Sequence, residues 1–255
     1  MTGESEPLLE GTLISHLLEL RSRLMRAFLA VIVVFIPCAY YSNRLFQWLS
    51  HPLLLKLPAH AVLISTSITA PFTAPLKLAF VVALVLAMPY VLYELWAFVA
   101  PGLYRHEQSF ALPLLISSMI LFYVGVAFAY FGVLPLIFAF FVSTTPQGVQ
   151  LMADISTYME FVLVFLFSFG LAFEVPVAVV LLVAMGLVPL EKLTRIRGYV
   201  LIAVFVIAAI LTPPDAISQT VMAIPMYLLY EGGILFSRLL LRSRKRRESS
   251  PGSPA

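Results

Sequence analysis

Leucines near the start of the chain recur at helical spacing and lead into the first long apolar run. One face of this helix carries four of them, Leu13, Leu17, Leu20 and Leu24. Another face carries charged side chains, Glu19, Arg23 and Arg26. Such a helix would lie along the lipid headgroups and then enter the bilayer, with its arginines as anchors. An ordinary membrane anchor fits this pattern, but a carboxylate is a poor anchor at an anionic membrane surface, so Glu19 indicates an additional role.

Six apolar runs predict six membrane helices, at residues 24–41, 76–98, 110–133, 158–185, 198–211 and 217–236. The third helix is expected to end near Pro135, followed by a loop over residues 136–156. The first loop, residues 42–75, contains apolar clusters that indicate short helices at the membrane interface. We therefore expect an all-α polytopic membrane protein with six transmembrane helices, of which the fifth and sixth are short.

The fifth run is too short for an ordinary span. Residues 198–211 would cover roughly 21 Å, against a hydrocarbon thickness of about 30 Å. Pro213 and Pro214 cannot donate backbone hydrogen bonds, so the helix is expected to stop there. Asp215 then lies at a depth where an isolated carboxylate is costly, which favours a wet cavity at this helix end.

Composition agrees with a membrane protein, because 61% of the residues are hydrophobic, 11% are charged and the mean hydropathy is +0.99. The single cysteine, Cys38, excludes an intramolecular disulfide. The first twenty residues contain four glutamates and neither lysine nor arginine, unlike a secretory signal peptide. We therefore expect no cleavable leader.

The positive charges predict the orientation of the chain. Of sixteen lysines and arginines, the N-terminal segment holds three, the second loop one, the fourth loop three and the C-terminal tail six. The positive-inside rule then places both termini in the cytoplasm. The expected organisation is a tail at residues 1–12, a six-helix membrane domain at 13–236 and a basic, disordered cytoplasmic tail at 237–255.

A few polar side chains lie inside the apolar runs and are candidates for function. Glu174 lies about midway along the fourth helix, where an ionisable group facing lipid costs at least about 2.5 kcal/mol, and Pro176 beside it predicts a hinge. It either hydrogen-bonds a neighbouring helix or marks a substrate path. Asp215 and Gln219 share one face of the sixth helix. We expect them to meet Glu174 across a shared concavity.

Enzyme chemistry has little support in the sequence. The segment from His106 to Phe110 begins like the zinc motif H-E-x-x-H but has Phe110 where the second histidine must stand. Neither a G-x-S-x-G nucleophile motif nor a glycine-rich phosphate loop is present. We therefore expect neither a catalytic residue nor a metal or other cofactor.

One short pattern occurs twice, as P-Y-V-L-Y-E at residues 89–94 and P-M-Y-L-L-Y-E at residues 225–231. The two copies are one residue out of register and too short to indicate an internal repeat. They give little support to an inverted-repeat transporter.

Several longer motifs, taken together, resemble the TatC family, the multispanning core of the twin-arginine protein translocase. These are H-L-L-E-L-R at 16–21, L-Y-E-L-W-A-F-V-A-P at 92–101, Y-R-H-E at 104–107, F-E-V-P-V-A at 173–178 and L-T-P-P-D-A-I-S-Q at 211–219. They occur in the family's order and spacing, and the resemblance extends from about residue 12 to about residue 240.

The resemblance implies a cup-shaped receptor in the bacterial inner membrane with both termini cytoplasmic. It would bind twin-arginine signal peptides of folded proteins and work with the single-span subunits TatA and TatB, driven by the protonmotive force. The implied partners also include membrane lipid and further copies of the chain, but no nucleic acid. The implied signal-peptide residues are Glu19, Glu107, Arg21 and Phe98. Other positions that match the family are Glu174, Asp215, Gln219, Pro52, Tyr130 and Arg105.

The chemistry of the substrate agrees with this implication. Two adjacent arginines suit two carboxylates, because each planar guanidinium can pair bidentately with one of them and a lysine cannot. Alternatively, Glu19 and Glu107 pair only with their own neighbours, Arg21 and Arg105. We further expect the apolar part of a bound peptide to enter the inner concavity toward Glu174.

Two other functional classes remain open at the level of sequence. A proton-coupled secondary transporter would use Glu174 and the short, broken fifth span. A structural membrane scaffold would need none of the carboxylates named above.

Overall fold

The computed structural model describes residues 6–54, 62–99, 111–146, 152–212 and 215–248. Its helices are α1 (Glu6–Tyr40), α2 (Ser42–Leu54), α3 (Ala70–Val99), α4 (Ala111–Phe128), α5 (Leu134–Thr144), α6 (Ile155–Ala172), α7 (Val175–Ala184), α8 (Leu190–Arg195), α9 (Arg197–Leu211) and α10 (Ala216–Glu248). A π-helical segment, Ala129–Val133, joins α4 to α5. Two short strands, β1 (Val62–Ile64) and β2 (Met152–Asp154), pair in parallel.

Six helical passes match the predicted spans. Five described segments are long and apolar enough to cross a membrane, residues 15–40, 70–99, 112–144, 155–184 and 216–242. The remaining pass is α9, the fifth in chain order, which has only fifteen residues and covers about 22 Å. The all-α fold and the short fifth span are therefore confirmed. The protein is a multi-pass membrane protein.

The sixth span is not short, which corrects the prediction. Helix α10 has 33 residues and continues from the apolar run into the basic segment that was predicted to be a disordered tail. The Ser237 hydroxyl is buried and donates to the carbonyl of Gly233, so the helix is packed where the tail was expected to begin. At the other terminus, α1 begins at Glu6, inside the predicted N-terminal tail.

The third span also runs further than predicted, to Thr144 rather than to Pro135. The π-helical segment, which ends two residues before Pro135, shifts the hydrogen-bond register of the backbone. Pro135 then lies in the first turn of α5, where its missing N–H leaves no carbonyl of the same helix unpaired. The proline thus begins a new helical segment and does not end the span. Of the short helices predicted in the first loop, the structure describes one, α2.

The fourth span is interrupted at Phe173 and Glu174, which form a turn between α6 and α7. Pro176 lies in the first turn of α7 and cannot continue the hydrogen-bond ladder of α6. The ladder resumes where the Ala178 N–H donates to the Glu174 carbonyl at 2.9 Å. The break predicted beside Glu174 is therefore present, and it puts this carboxylate at the end of one helix and the start of the next.

The core lies between α3, the π-helical segment, α5, α6 and α10, and its largest fully buried side chains include Phe165, Phe169, Leu78 and Leu134. Helix α1 packs on the other side of α3 in a separate small cluster, in which Cys38 contacts Ala79 and Ala83. Small residues of this kind let membrane helices approach closely, where packing rather than exclusion from water supplies the attraction.

At the end of the bundle opposite the termini, β1 and β2 join the segment before α3 to the segment before α6. Asp154 ends β2 and caps α6 by accepting from the N–H groups of Ser156 and Thr157. Its second oxygen accepts from the hydroxyl of Thr66 at 2.7 Å and from its N–H at 3.0 Å. These bonds, led by the Thr66 hydroxyl, hold the pKa of the Asp154 carboxyl well below its usual range. The stabilisation from this cap is therefore complete above about pH 4 and is lost as the pH falls through the lowered pKa.

Two neighbouring glycines in α10 give a matched test of the packing between α7 and α10. A Cβ at Gly233 would lie 2.9 Å from both Pro176 Cα and Val179 Cβ, whereas a Cβ at Gly232 would meet nothing within 4 Å. We expect Gly233→Ala to destabilise the protein by about 1–3 kcal/mol, because it overpacks a backbone contact. Gly232→Ala should leave stability unchanged or raise it, by up to about 1 kcal/mol. The thermal unfolding midpoint in detergent measures both, and equal midpoints for the two variants would contradict this packing.

Candidate functional site

A charged cluster lies where α1 crosses the C-terminal part of α3. Glu19 accepts two hydrogen bonds on its Oε1, from Arg23 Nε at 2.9 Å and from Arg23 Nη2 at 2.6 Å. The two residues are four apart on α1, which places their side chains on one face of the helix. Glu19 therefore pairs with Arg23 and not with Arg21, the neighbour considered from the sequence.

Glu94 of α3 is the second carboxylate of this cluster, and its side chain is only 3% exposed. It accepts from the Tyr90 hydroxyl at 2.9 Å and from Arg23 Nη1 at 3.3 Å, and Arg26 Nη1 lies 3.4 Å away. Sequence reasoning did not select Glu94 as a site residue. The available signal was a carboxylate inside an apolar run, which is the argument that selected Glu174.

Phe98 lies one turn beyond Glu94 and stacks on the ring of His16, with centroids 4.3 Å apart and planes 22° apart. This contact brings the end of α3 against the N-terminal half of α1. Arg21, on the same stretch of α1, is exposed. Two predicted site residues, Glu19 and Phe98, thus lie at the junction of α1 with α3, while Glu107 and Arg105 lie outside the described residues.

A groove of about 510 Å³ opens next to this cluster, between α1, α3 and the helices around Glu174. Its lining is apolar except for Ser118 and Glu174, and it includes Leu24 and Leu95, the residues that follow Arg23 and Glu94 in the sequence. A mostly apolar concavity with a few convergent polar groups is the usual form of a binding site.

Glu174 is held inside the groove by a hydrogen bond that the Ser118 hydroxyl of α4 donates to its Oε2. The other oxygen, Oε1, is buried and has no hydrogen-bond partner among the described residues. The predicted contact to a neighbouring helix is therefore present, and one acceptor is left for a further donor. Within the described chain, no three His, Cys, Asp or Glu side chains lie close enough to bind a metal ion.

Asp215 and Gln219 do not meet Glu174, which corrects the sequence expectation. Asp215 Oδ1 accepts from the Ser218 N–H at 2.7 Å and so caps the start of α10. Gln219 Nε2 donates to the carbonyl of Phe205 in α9 at 3.0 Å. Both side chains are used at the junction of α9 with α10, and neither lines the groove around Glu174.

Tyr130 lies in the π-helical segment and donates its hydroxyl to the carbonyl of Leu49 in α2 at 3.1 Å. It thus ties the interfacial helix to the third span. Pro52 lies in the last turn of the same interfacial helix. These two positions belong to the other end of the bundle from the charged cluster.

The short pattern that occurs twice in the sequence has the same geometry in both places. In the second copy, Glu231 accepts from the Tyr227 hydroxyl at 3.0 Å and from Arg197 Nη2 of α9 at 2.8 Å. Each copy is therefore a carboxylate held by a tyrosine one turn earlier and by an arginine of a neighbouring helix. In the first copy alone, among the described residues, the arginine also binds a second carboxylate, Glu19.

Comparisons with a family model, with known sequences and with solved structures all identify the same family. The family model for TatC, Sec-independent protein translocase protein, matches residues 15–225. The Sec-independent protein translocase protein TatC of Escherichia coli K12 is 49% identical over 236 residues, which is 92% of each chain. The TatC protein of Azotobacter chroococcum mcd 1 is 46% identical over the full length of both chains. A crystal structure of the twin-arginine translocase receptor TatC superposes with a TM-score of 0.80 at 37% identity, covering 88% of this chain and 98% of that one.

Two adjacent serines in α4 test whether Glu174 depends on its donor. Ser118 donates to Glu174, whereas Ser117 donates to the carbonyl of Pro113 in its own helix. We expect Ser118→Ala to destabilise the protein by about 1–3 kcal/mol, because it removes the one described hydrogen bond to a buried carboxyl group. Ser117→Ala should change stability by less than about 0.5 kcal/mol. Thermal unfolding in detergent distinguishes them, and a Ser118→Ala midpoint equal to that of the unsubstituted chain would refute this dependence.

Proposed function

The chain belongs to the TatC family of Sec-independent protein translocase proteins, and from this premise we propose that it is the receptor subunit that binds twin-arginine signal peptides of folded proteins. The family is a family of translocase components and not of enzymes. The chain's own part is therefore recognition, which depends on what its surface and groove can bind.

The observation that carries the proposal is the contact that Glu19 makes with a guanidinium. Its side chain is 38% exposed and already binds a guanidinium through two nitrogens of Arg23. A carboxylate that accepts one guanidinium in this way presents the geometry that an arginine of a peptide would use. The nearby Phe98 and the exposed Arg21 would belong to the same surface.

Two carboxylates would read the two arginines of the signal. We propose Glu107 as the second, in the stretch that matches the family next to Arg105. Because a lysine presents no planar fork, a pair of such sites favours Arg-Arg over Lys-Lys. If each charged hydrogen bond contributes about 1.5–3 kcal/mol, loss of one carboxylate weakens binding at least about tenfold.

The groove beside the cluster would receive the apolar part of the signal peptide. It adjoins the charged cluster through Leu24 and Leu95, so a peptide bound by its arginines at Glu19 would extend into it. Its walls are apolar, which suits an apolar segment, and Glu174 on its lining has one oxygen without a hydrogen-bond partner among the described residues.

The remaining functional assignments belong to the same proposal. The chain would lie in the bacterial inner membrane with both termini cytoplasmic, act with TatA and TatB, assemble with further copies of itself and be driven by the protonmotive force. The membrane domain would comprise about residues 13–236, with the segments before and after it on the cytoplasmic side. The family-matched positions away from the groove, Asp215, Gln219, Pro52 and Tyr130, would serve the same function.

Export of a folded reporter with an Arg-Arg signal tests the receptor function. In cells that depend on this chain, Glu19→Gln and Glu107→Gln should each lower export at least about tenfold, because each removes one guanidinium partner. A reporter with a Sec-type signal should be exported normally in the same cells. Glu160→Gln is the matched control, because Glu160 pairs with Lys77 at the opposite end of the bundle. Undiminished Arg-Arg export by both variants, at normal membrane levels, would reject the assignment.

Disulfide crosslinking tests the groove. In a Cys38→Ala background, Ala178→Cys places a thiol on the lining of the groove, whereas Ile210→Cys places one on an exposed face of α9. A signal peptide with one cysteine in its apolar segment should crosslink to position 178 and not to position 210. Crosslinks at position 210 alone would place the apolar segment outside the groove.

A further inference from the structure

We propose that Glu94 is a positioning residue for signal-peptide binding: it retains Arg23 when Glu19 exchanges that arginine for a guanidinium of the peptide. The inference rests on the proposed receptor function. It gives a role to Glu94, a buried carboxylate that the peptide itself does not contact under that proposal. It predicts that Glu94, which the peptide does not contact, nevertheless changes the affinity of the chain for the peptide.

Arg23 bridges the two carboxylates with different nitrogens. Its Nε and Nη2 bind Glu19 at 2.9 and 2.6 Å, while its Nη1 binds Glu94 at 3.3 Å. The guanidinium therefore already has a second partner in place before it leaves the first. A small movement of Arg23 toward α3 would shorten the bond to Glu94 as the bonds to Glu19 are released.

The two carboxylates differ in access to an incoming ligand. The Glu19 side chain is 38% exposed, whereas that of Glu94 is 3% exposed, behind the arginines. A peptide arginine can therefore reach Glu19 but not Glu94. Tyr90 donates to Glu94 Oε1 and holds the buried carboxylate in this position.

Charge balance explains why the second carboxylate matters. Within the described cluster, Arg23 and Arg26 face Glu19 and Glu94, so the positive and negative charges are equal. Without Glu94, Arg23 would depend on Glu19 alone, and a peptide arginine would have to displace it. A partly buried arginine left without a counter-charge is strongly unfavourable, so Glu19 would stay occupied.

The second copy of the motif provides a matched control. Glu231 has the same two kinds of partner, a tyrosine one turn earlier and Arg197 of the neighbouring helix, but it has no described link to Glu19. If a carboxylate held by a tyrosine and an arginine only joins two helices, Glu94→Gln and Glu231→Gln should act alike. Under our inference only the first changes peptide affinity.

The experiment measures binding of a fluorescent Arg-Arg signal peptide to the full-length chain in lipid nanodiscs. We expect Glu94→Gln to weaken binding at least fivefold and Glu231→Gln to change it less than twofold. In the Glu94→Gln background, Arg23→Gln should restore affinity to within about twofold of the unsubstituted chain, because it removes the cation that occupies Glu19. A structural role of Glu94 would not be rescued by removing a second side chain.

The outcomes separate this inference from the proposed function. If Glu19→Gln weakens binding while Glu94→Gln does not, or if Arg23→Gln fails to rescue Glu94→Gln, the positioning role is overturned and the receptor function stands. If the unsubstituted chain binds Arg-Arg and Lys-Lys peptides equally, the proposed recognition of the arginine pair is itself rejected, whatever the Glu94 variants do. Should Glu94→Gln not fold, Tyr90→Phe removes the hydroxyl that orients Glu94. At least a twofold loss, reversed by Arg23→Gln, is then expected, and unchanged affinity would overturn the inference.

Discussion

A carboxylate inside an apolar helix needs a hydrogen-bond donor from another part of the chain. This requirement determines how the helices around the charged cluster and the groove are arranged. An unpaired polar group in the membrane interior costs several kcal/mol, so each such residue is stable only where packing supplies a partner. Glu94 has Tyr90 and two arginines of α1, Glu174 has Ser118 of α4, and Glu231 has Tyr227 and Arg197. In each case a donor from another span joins the contact, so the carboxylates also fix how the spans meet.

Breaks in the helices aim these side chains. The turn at Phe173 and Glu174 interrupts the fourth span, so the carboxyl group is presented at a helix end beside the groove. The π-helical segment does the same for Tyr130, whose hydroxyl reaches the backbone of α2. Departures from regular helix thus coincide with residues that contact another element, as is common at functional positions. The regular parts of α3 and α6 supply the packed core from which these residues project.

Local pattern was enough to predict the spans, the short α9 and the break beside Glu174, because helix periodicity and proline chemistry act over a few residues. It failed where the outcome depends on contacts between helices. Helix α10 continues past Phe236 because Ser237 is packed, and α5 continues past Pro135 because a π turn precedes it. Asp215 was expected beside Glu174, but it caps its own helix. Glu94 was not selected, and its contact with Arg23, 71 residues earlier in the sequence, could not be predicted from local pattern.

The measurement that tests the account most directly compares four signal peptides on the purified full-length chain in nanodiscs, with Arg-Arg, Arg-Lys, Lys-Arg and Lys-Lys at the paired positions. If carboxylates read each guanidinium bidentately, affinity should fall at each replacement and the Lys-Lys peptide should bind at least about tenfold more weakly than Arg-Arg. Equal affinities for all four peptides would show that the site reads positive charge alone, and the recognition of arginine by Glu19 would be wrong.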